Sequence, residues 1–437
     1  MTIRSVAVAI ILVVLTLDAE ACRKKVVLNG ADKNWHNKVC SENTDYVIKN
    51  CIDLNGSTLT IPDNCCLVFD GGVFQNGMLE GKHTNVSAGK TLIFKDVTLT
   101  GSWNNGRVYS EWLDFIEGEK VDNACNFKNL MLLCKSDVMT HLYMQEGTYY
   151  CSVVTGSSNI IVPSNIYWHN LATICQLPTD SPKYGFVLIR KSNNVTIDGG
   201  VFVGDVKSHT GKDGEWGHGI KVAGASNVVL KNLVSREFWG DGIDLIEGEY
   251  VSSIASGVGI CDHITINNVK CLYNRRQGLS IEAAQNIIVN NSEFAYTGKF
   301  NISEAGCGVD IEPWCKNEKK IENIIFYKCY IHDNNPKRDF CVEANLQYYD
   351  KSKDPGYAPI NKIVVKKCRI GKLYVLWANT VVFNCCEIEK ISTFNFGYNV
   401  KMEKCRIGNL ASIKKKKGLM VIKCTKWKSH LLYRFIK

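Results

Sequence analysis

The chain has 437 residues, 45% of them hydrophobic, with 52 basic and 43 acidic side chains for a formal net charge of +9. That is enough apolar material for a large core. No nucleic-acid-binding motif accompanies the basic balance, which argues against a nucleic-acid partner; an anionic polysaccharide is compatible with it, though charge alone does not establish one.

The N-terminus reads as an export signal: Arg4, an apolar run from Val6 to Leu17, then Ala19, Glu20 and Ala21. The run is 12 residues, too short to span a bilayer, and no later segment is long and apolar enough to do so. Residues 1–21 are therefore expected to be removed, leaving a secreted, periplasmic or cell-surface protein. Cys22 would suit a lipoprotein, but Glu20 before it fits that poorly.

Residues 22–110 read as a β-rich N-terminal segment. Leu59–Ile61, Leu67–Phe74 and Leu92–Leu99 look like early, irregular coils, and Trp103–Gly106 like a turn. Phe127–Cys134 is the best helix in the chain, suited to plug the open end of a solenoid. His141–Met144 and Glu146–Tyr150 follow as a strand and turn.

Residues 111–437 carry a repeat. The phrases around Cys329, Cys368, Cys386, Cys405 and Cys424 place one cysteine at a fixed slot, and the last four are spaced by 18, 19 and 19 residues. Upstream, Asn194–Ile197, Asn227–Leu230, His263–Ile266, Asn286–Val289 and Asn323–Phe326 repeat the register, with Gly200, Leu233, Val269 and Ser292 in the cysteine slot. Apolar and polar residues alternate, so these are short strands with one face inward. An 18-residue coil has no room for a crossover helix. It suits three short strands and three bends, which predicts an all-β, single-stranded, right-handed parallel β-helix. Longer upstream spacings are insertions between coils. Stacked coils hold equivalent side chains parallel at about 4.8 Å, so their Cβ atoms do not converge as a disulfide requires. The slot cysteines are expected to be a ladder of buried thiols.

A second strand per coil is led by glycine: Gly219–Val222, Gly242–Leu245, Gly278–Ile281 and Gly308–Ile311, with Asp339–Val342 continuing the series. Alternation predicts three outward files. One is Lys221, Asp244, Ser280, Asp310 and Cys341. The next is Ala223, Ile246, Glu282, Glu312 and Glu343. At the strand entrance stand His218, Asp241, Gln277, Cys307 and Arg338. Carboxyls so close should raise at least one pKa, as a general acid needs. The lattice admits either carboxyl spacing used by glycosidases, so it does not choose between retention and inversion.

The passage LYMQEGTYY, the NVTIDG-like phrases and the GDGIDL element resemble the pectate-lyase-like β-helix superfamily, which holds polysaccharide lyases, polygalacturonase-type hydrolases, epimerases and phage tailspikes. LVFDGGVFQNGMLEG is similar to the N-terminal segment of exported β-helix proteins of polysaccharide degraders. Gly217-His218-Gly219 and Asp241-Gly-Ile-Asp244 resemble polygalacturonase pieces, but in reversed order and without that family's adjacent aspartate pair, so its mechanism is not carried over. Resemblance to pectate lyases would imply a calcium-binding acidic set, for which Asp244, Asp310 and Glu312 are available, and an arginine base at Arg275 or Arg276.

The expectation is an exported carbohydrate-active enzyme that hydrolyses glycosidic bonds in a polysaccharide, with no required cofactor. Asp310 or Glu282 would be the acid, and Asp244 or Glu312 the base or nucleophile. His218, Lys221, Asp241, Arg275, Arg276, Gln277 and Glu343 would contact substrate, and Trp216, Trp239 and Trp314 would stack on sugar rings. A calcium-assisted lyase and a non-catalytic glycan-binding module are the alternatives. Insertions at about 204–217, 247–260, 295–306 and 345–360 would wall the groove.

Overall fold

The computed structural model describes residues 23–118, 120–248, 259–299, 306–313, 321–335, 338–343, 360–376, 378–395, 398–409 and 419–426. The export signal and Trp314 lie outside these residues, as do most of the expected 247–260 and 345–360 insertions and half of 295–306.

The chain winds as a parallel β-helix. One face is a twelve-stranded sheet running from Arg107–Tyr109 to Leu419–Ile422, and the other two faces join at their bends into an eighteen-stranded sheet. Every strand pair is parallel, so successive coils stack in register. Ile264, Ile287, Ile324, Ile363 and Val381 form one such internal file, all fully buried. Burying each side chain of this kind stabilises by about 1.5–3 kcal/mol. A separate seven-stranded sheet, beginning at Lys24–Leu28, forms the N-terminal segment.

Two bends in each coil carry residues of left-handed backbone. Asn194, Asn227, His263, Asn286 and Asn323 mark one bend. Asn232, Asn268, Asn291, Lys328, Lys367, Cys385, Lys404 and Lys423 mark the other, immediately before the cysteine slot. Asparagine tolerates this conformation, and its amides also link coils: Asn323 Nδ2 donates to Asn286 Oδ1 at 2.6 Å. The slot thiols cap carbonyls of the preceding coil, Cys386 Sγ to Val365 O at 3.2 Å and Cys405 Sγ to Phe383 O at 3.4 Å. Every described cysteine is a free thiol, as the ladder requires.

The helix spans Ala124–Leu133. It packs between the N-terminal sheet and the first coils, where Asn129 donates to Val97 O at 2.7 Å and accepts from Leu99 N at 3.0 Å. Strand-edge groups are thereby paired at the junction.

The leading glycines serve space rather than backbone angle. None of Gly219, Gly242, Gly278 and Gly308 has a positive φ. A Cβ on Gly242 would lie 2.6 Å from Asn274 Nδ2, and one on Gly308 would lie 2.4 Å from Asn334 Nδ2. These buried amides hold the neighbouring bend: Asn334 Oδ1 accepts from Thr297 N at 3.0 Å and Nδ2 donates to Phe294 O at 3.1 Å. Glycine leaves room for them.

Candidate functional site

The central file forms in register, with Lys221 beside Asp244, then Ser280, Asp310 and Cys341 on successive coils. Glu282 and Glu312 follow the strand ends, where their amides donate to Leu245 O and Ile281 O. The files are covered, contrary to the expected solvent-facing wall: Asp244 and Ser280 are 0% exposed, Asp310 1% and Glu282 9%. Glu312 and Glu343 stay partly exposed; Gln277 contacts Asp310 and Glu312, and Arg276 contacts Glu312 and Asp241.

Asp244 receives two basic groups. Lys221 Nζ stands 3.4 Å from its Oδ2, and His218 Nε2 stands 3.5 Å from the same oxygen. The other imidazole nitrogen, Nδ1, accepts from the Asp241 amide at 3.2 Å and lies 3.1 Å from Asp241 Oδ2. Asp241 is tied to the next coil, its Oδ1 accepting from Gln277 N at 3.0 Å. Burial pushes the Asp241 carboxyl upward, but the Arg276 guanidinium and His218 outweigh it and hold its pKa below the usual range.

Arg276 is the hub of the entrance. Its Nη1 is 3.9 Å from Asp241 Oδ2, its Nη2 3.8 Å from Glu312 Oε1 and its Nε 3.5 Å from Glu215 Oε2. Gln277 Nε2 joins two carboxyls, donating to Glu312 Oε1 at 2.9 Å and Asp310 Oδ2 at 3.1 Å. At the far end, Arg338 Nη1 donates to Glu343 Oε1 at 2.8 Å and to Cys341 Sγ at 3.8 Å.

These environments separate the carboxyls. Burial, with Asp244 and Glu312 beside it, drives the Glu282 pKa well above the usual range. Burial, Glu312 and Glu343 do the same to Asp310. Glu312 is raised by burial, against the pull of Arg276 and Gln277. The arrangement thus sets carboxyls whose pKa is raised beside others that face cations, as acid–base chemistry requires.

Two expected substrate contacts, Trp239 and Arg275, are engaged elsewhere. Trp239 is buried, its ring 3.8 Å from the His209 ring on one side and 3.8 Å from the Arg275 guanidinium carbon. It does not offer a free face to sugar. Arg275 spends its Nη1 on Gly214 O at 2.8 Å and Trp239 O at 3.1 Å, so it pins the 204–217 insertion rather than reaching the carboxyls. Trp216 is 46% exposed at the start of the strand that carries His218. Sequence patterning does not pick out Glu215, because an insertion has no register from which to place it.

Among the described residues, several buried polar atoms along the file have no hydrogen-bond partner: both Asp244 oxygens, Asp310 Oδ1, Ser280 Oγ and Gln277 Oε1. Oxygens of Asp244, Asp310 and Glu312 are donors suited to a hard cation such as calcium. A separate concavity of about 800 Å³ lies between the helix and the strands near Ile161 and Arg190, lined by none of these carboxyls.

No family model matches the chain. The uncharacterized protein YclG of Bacillus subtilis (strain 168) is 26% identical over 222 residues, which are 47% of this chain and 38% of that protein. The chain therefore spans well under half the length of this curated relative. Among solved structures, the A-module of the Azotobacter vinelandii mannuronan C-5 epimerase AlgE4 aligns with 72% of this chain and 94% of its own, at 10% identity and a TM-score of 0.49. Pectate lyase Pel9A aligns with 69% of this chain and 70% of its own, at 13% identity and a TM-score of 0.36. The parallel β-helix fold itself rests on the chain's own strand pairing.

Proposed function

We propose that the chain is an exported enzyme that hydrolyses glycosidic bonds in a polysaccharide. The observation that carries this reading is the pairing on adjacent coils of Glu282, a buried carboxyl whose pKa burial and neighbouring carboxyls raise, with Asp244, which faces Lys221 and His218. Glu282 donates its proton to the leaving glycosidic oxygen. Asp244 acts on the other side of the bond, taking a proton from the attacking water or attacking the anomeric carbon itself. His218, Arg276 and Gln277 hold sugar hydroxyls. Polysaccharide-acting proteins among solved structures of this fold, and an N-terminal sequence patterned for export, agree with the reading.

Carboxyls of Asp241, Asp244, Glu282, Asp310, Glu312 and Glu343 face the permanent cations Lys221, Arg276 and Arg338, and each cation is in contact with a carboxyl group. A calcium-assisted β-eliminating lyase is the second reading, favoured by Asp244 Oδ1 and Asp310 Oδ1, buried carboxyl oxygens without a hydrogen-bond partner. In that case the ion would offset the charge of a uronate carboxylate.

Incubating the purified chain with a panel of neutral and acidic glycans separates these readings. Hydrolysis releases reducing ends without an ultraviolet-absorbing unsaturated product. The unsaturated chromophore, abolished by chelator, would establish the lyase, and glycan retention without any product would establish a binding module.

A further inference from the structure

We propose that Asp310, Cys341 and Glu343 form a binding site for a thiophilic divalent cation of the zinc class, at the far end of the carboxyl file. One ligand atom from each lies within 4.8 Å of the other two. Asp310 and Cys341 are one register pair on adjacent coils, and Glu343 is two residues beyond Cys341 on the same strand face. Ligand atoms around tetrahedral zinc stand about 3.3–3.8 Å apart, given bonds of about 2.0–2.3 Å. Torsions of the Glu343 side chain, which is 21% exposed at the strand end, supply the remaining closure.

Two independent features point to a cation. Asp310 is 1% exposed and its Oδ1 has no hydrogen-bond partner, while Gln277 holds only Oδ2. The second is Arg338, whose Nη1 lies 2.8 Å from Glu343 Oε1 and 3.8 Å from Cys341 Sγ. Its guanidinium touches both ligand residues from outside the cluster, the position of an outer-shell partner. Charge also balances: three anionic ligands are met by one guanidinium and one divalent ion. The thiolate separates this site from a calcium site, because calcium takes oxygen ligands. Cys307 is nearby, but its thiol donates to Val309 O at 3.0 Å and Asp339 O at 3.2 Å. It serves as the control.

The test uses the full chain freed of metal by chelator dialysis, then titrated with Zn²⁺ against a chromophoric chelator and separately with Co²⁺. One equivalent of zinc should bind, with proton release, and cobalt should give a near-ultraviolet thiolate charge-transfer band. Cys307→Ser should retain both. Cys341→Ser should lose the band and weaken zinc by more than about 100-fold, since even outer-shell losses cost about 10–100-fold. Asp310→Asn, which keeps the thiol, should weaken zinc while the band survives. No zinc uptake by the parent chain would overturn the proposal, as would unchanged affinity in Cys341→Ser with its circular dichroism intact. Binding is read without any turnover, so this result and the hydrolase reading fail separately.

Discussion

Lys221 and Asp244 face each other across adjacent coils, ammonium to carboxylate at 3.4 Å, in a register fixed by backbone pairing between their strands. Two coils further along the same file, Asp310 meets a neutral amide from Gln277. One straight file therefore has a cation-compensated carboxylate near one end and a proton-retaining carboxyl towards the other.

Replacing Glu282 with Gln should reduce turnover by about 10²–10⁴-fold, the usual contribution of general acid catalysis. Its raised pKa also gives the sign of the pH dependence. The acid must carry a proton, so activity should fall as pH rises through the Glu282 value, and this basic limb should vanish in the variant. A pH–rate profile on a glycan that releases reducing ends checks both.

The same raised values make stability pH-dependent. In the native state Asp310 keeps its proton above the unfolded aspartate value of about 3.9, so folding binds more protons than the unfolded chain does. Its contribution is fully present below that value and is lost as pH rises through the native pKa. Asp310→Asn should therefore melt higher than the parent at pH 7, with the advantage shrinking towards pH 4. Melting of the metal-free protein across that range is the measurement. A gap that widens at low pH would contradict the assignment.

Trp239 and Trp216 should separate by phenotype. Trp239 is closed in by His209 and Arg275, so Trp239→Ala should cost about 3–5 kcal/mol in unfolding free energy, as for other buried aromatic truncations. Trp216 is 46% exposed, and Trp216→Ala should leave stability within about 0.5 kcal/mol while weakening glycan retention or raising KM. Denaturant titration beside affinity electrophoresis distinguishes them.

The coils and the files are legible in the sequence because a parallel β-helix turns sequence period directly into contact: Asp244, Ser280 and Asp310 are separated by insertions, yet the glycine-led strands carry their register. The cysteine spacing likewise announces the thiol ladder. What sequence leaves open is depth. Alternation says which way Asp310 points, but not that neighbouring coils and Gln277 cover it. Nor does it show that Arg275 turns to Gly214 and Trp239, because the 204–217 insertion has no register. Tryptophan beside a candidate cleft reads as a sugar platform until its ring faces are found occupied.

Gly308 tests the steric account of the strand entrance. A methyl there would approach Asn334 Nδ2 to 2.4 Å and Asp339 O to 2.8 Å. Asn334 cannot step aside cheaply, because its amide donates to Phe294 O and accepts from Thr297 N inside the coil. Gly308→Ala should therefore destabilise by about 1–3 kcal/mol, the scale of overpacking in a well-filled core. Gly89 is the matched control: it has no positive φ, and a methyl added to it would meet nothing within 4 Å. Gly89→Ala should change stability by less than about 0.5 kcal/mol. If Gly308→Ala instead unfolds at the parent's denaturant midpoint, the interior asparagines are not what makes glycine necessary at the head of these strands.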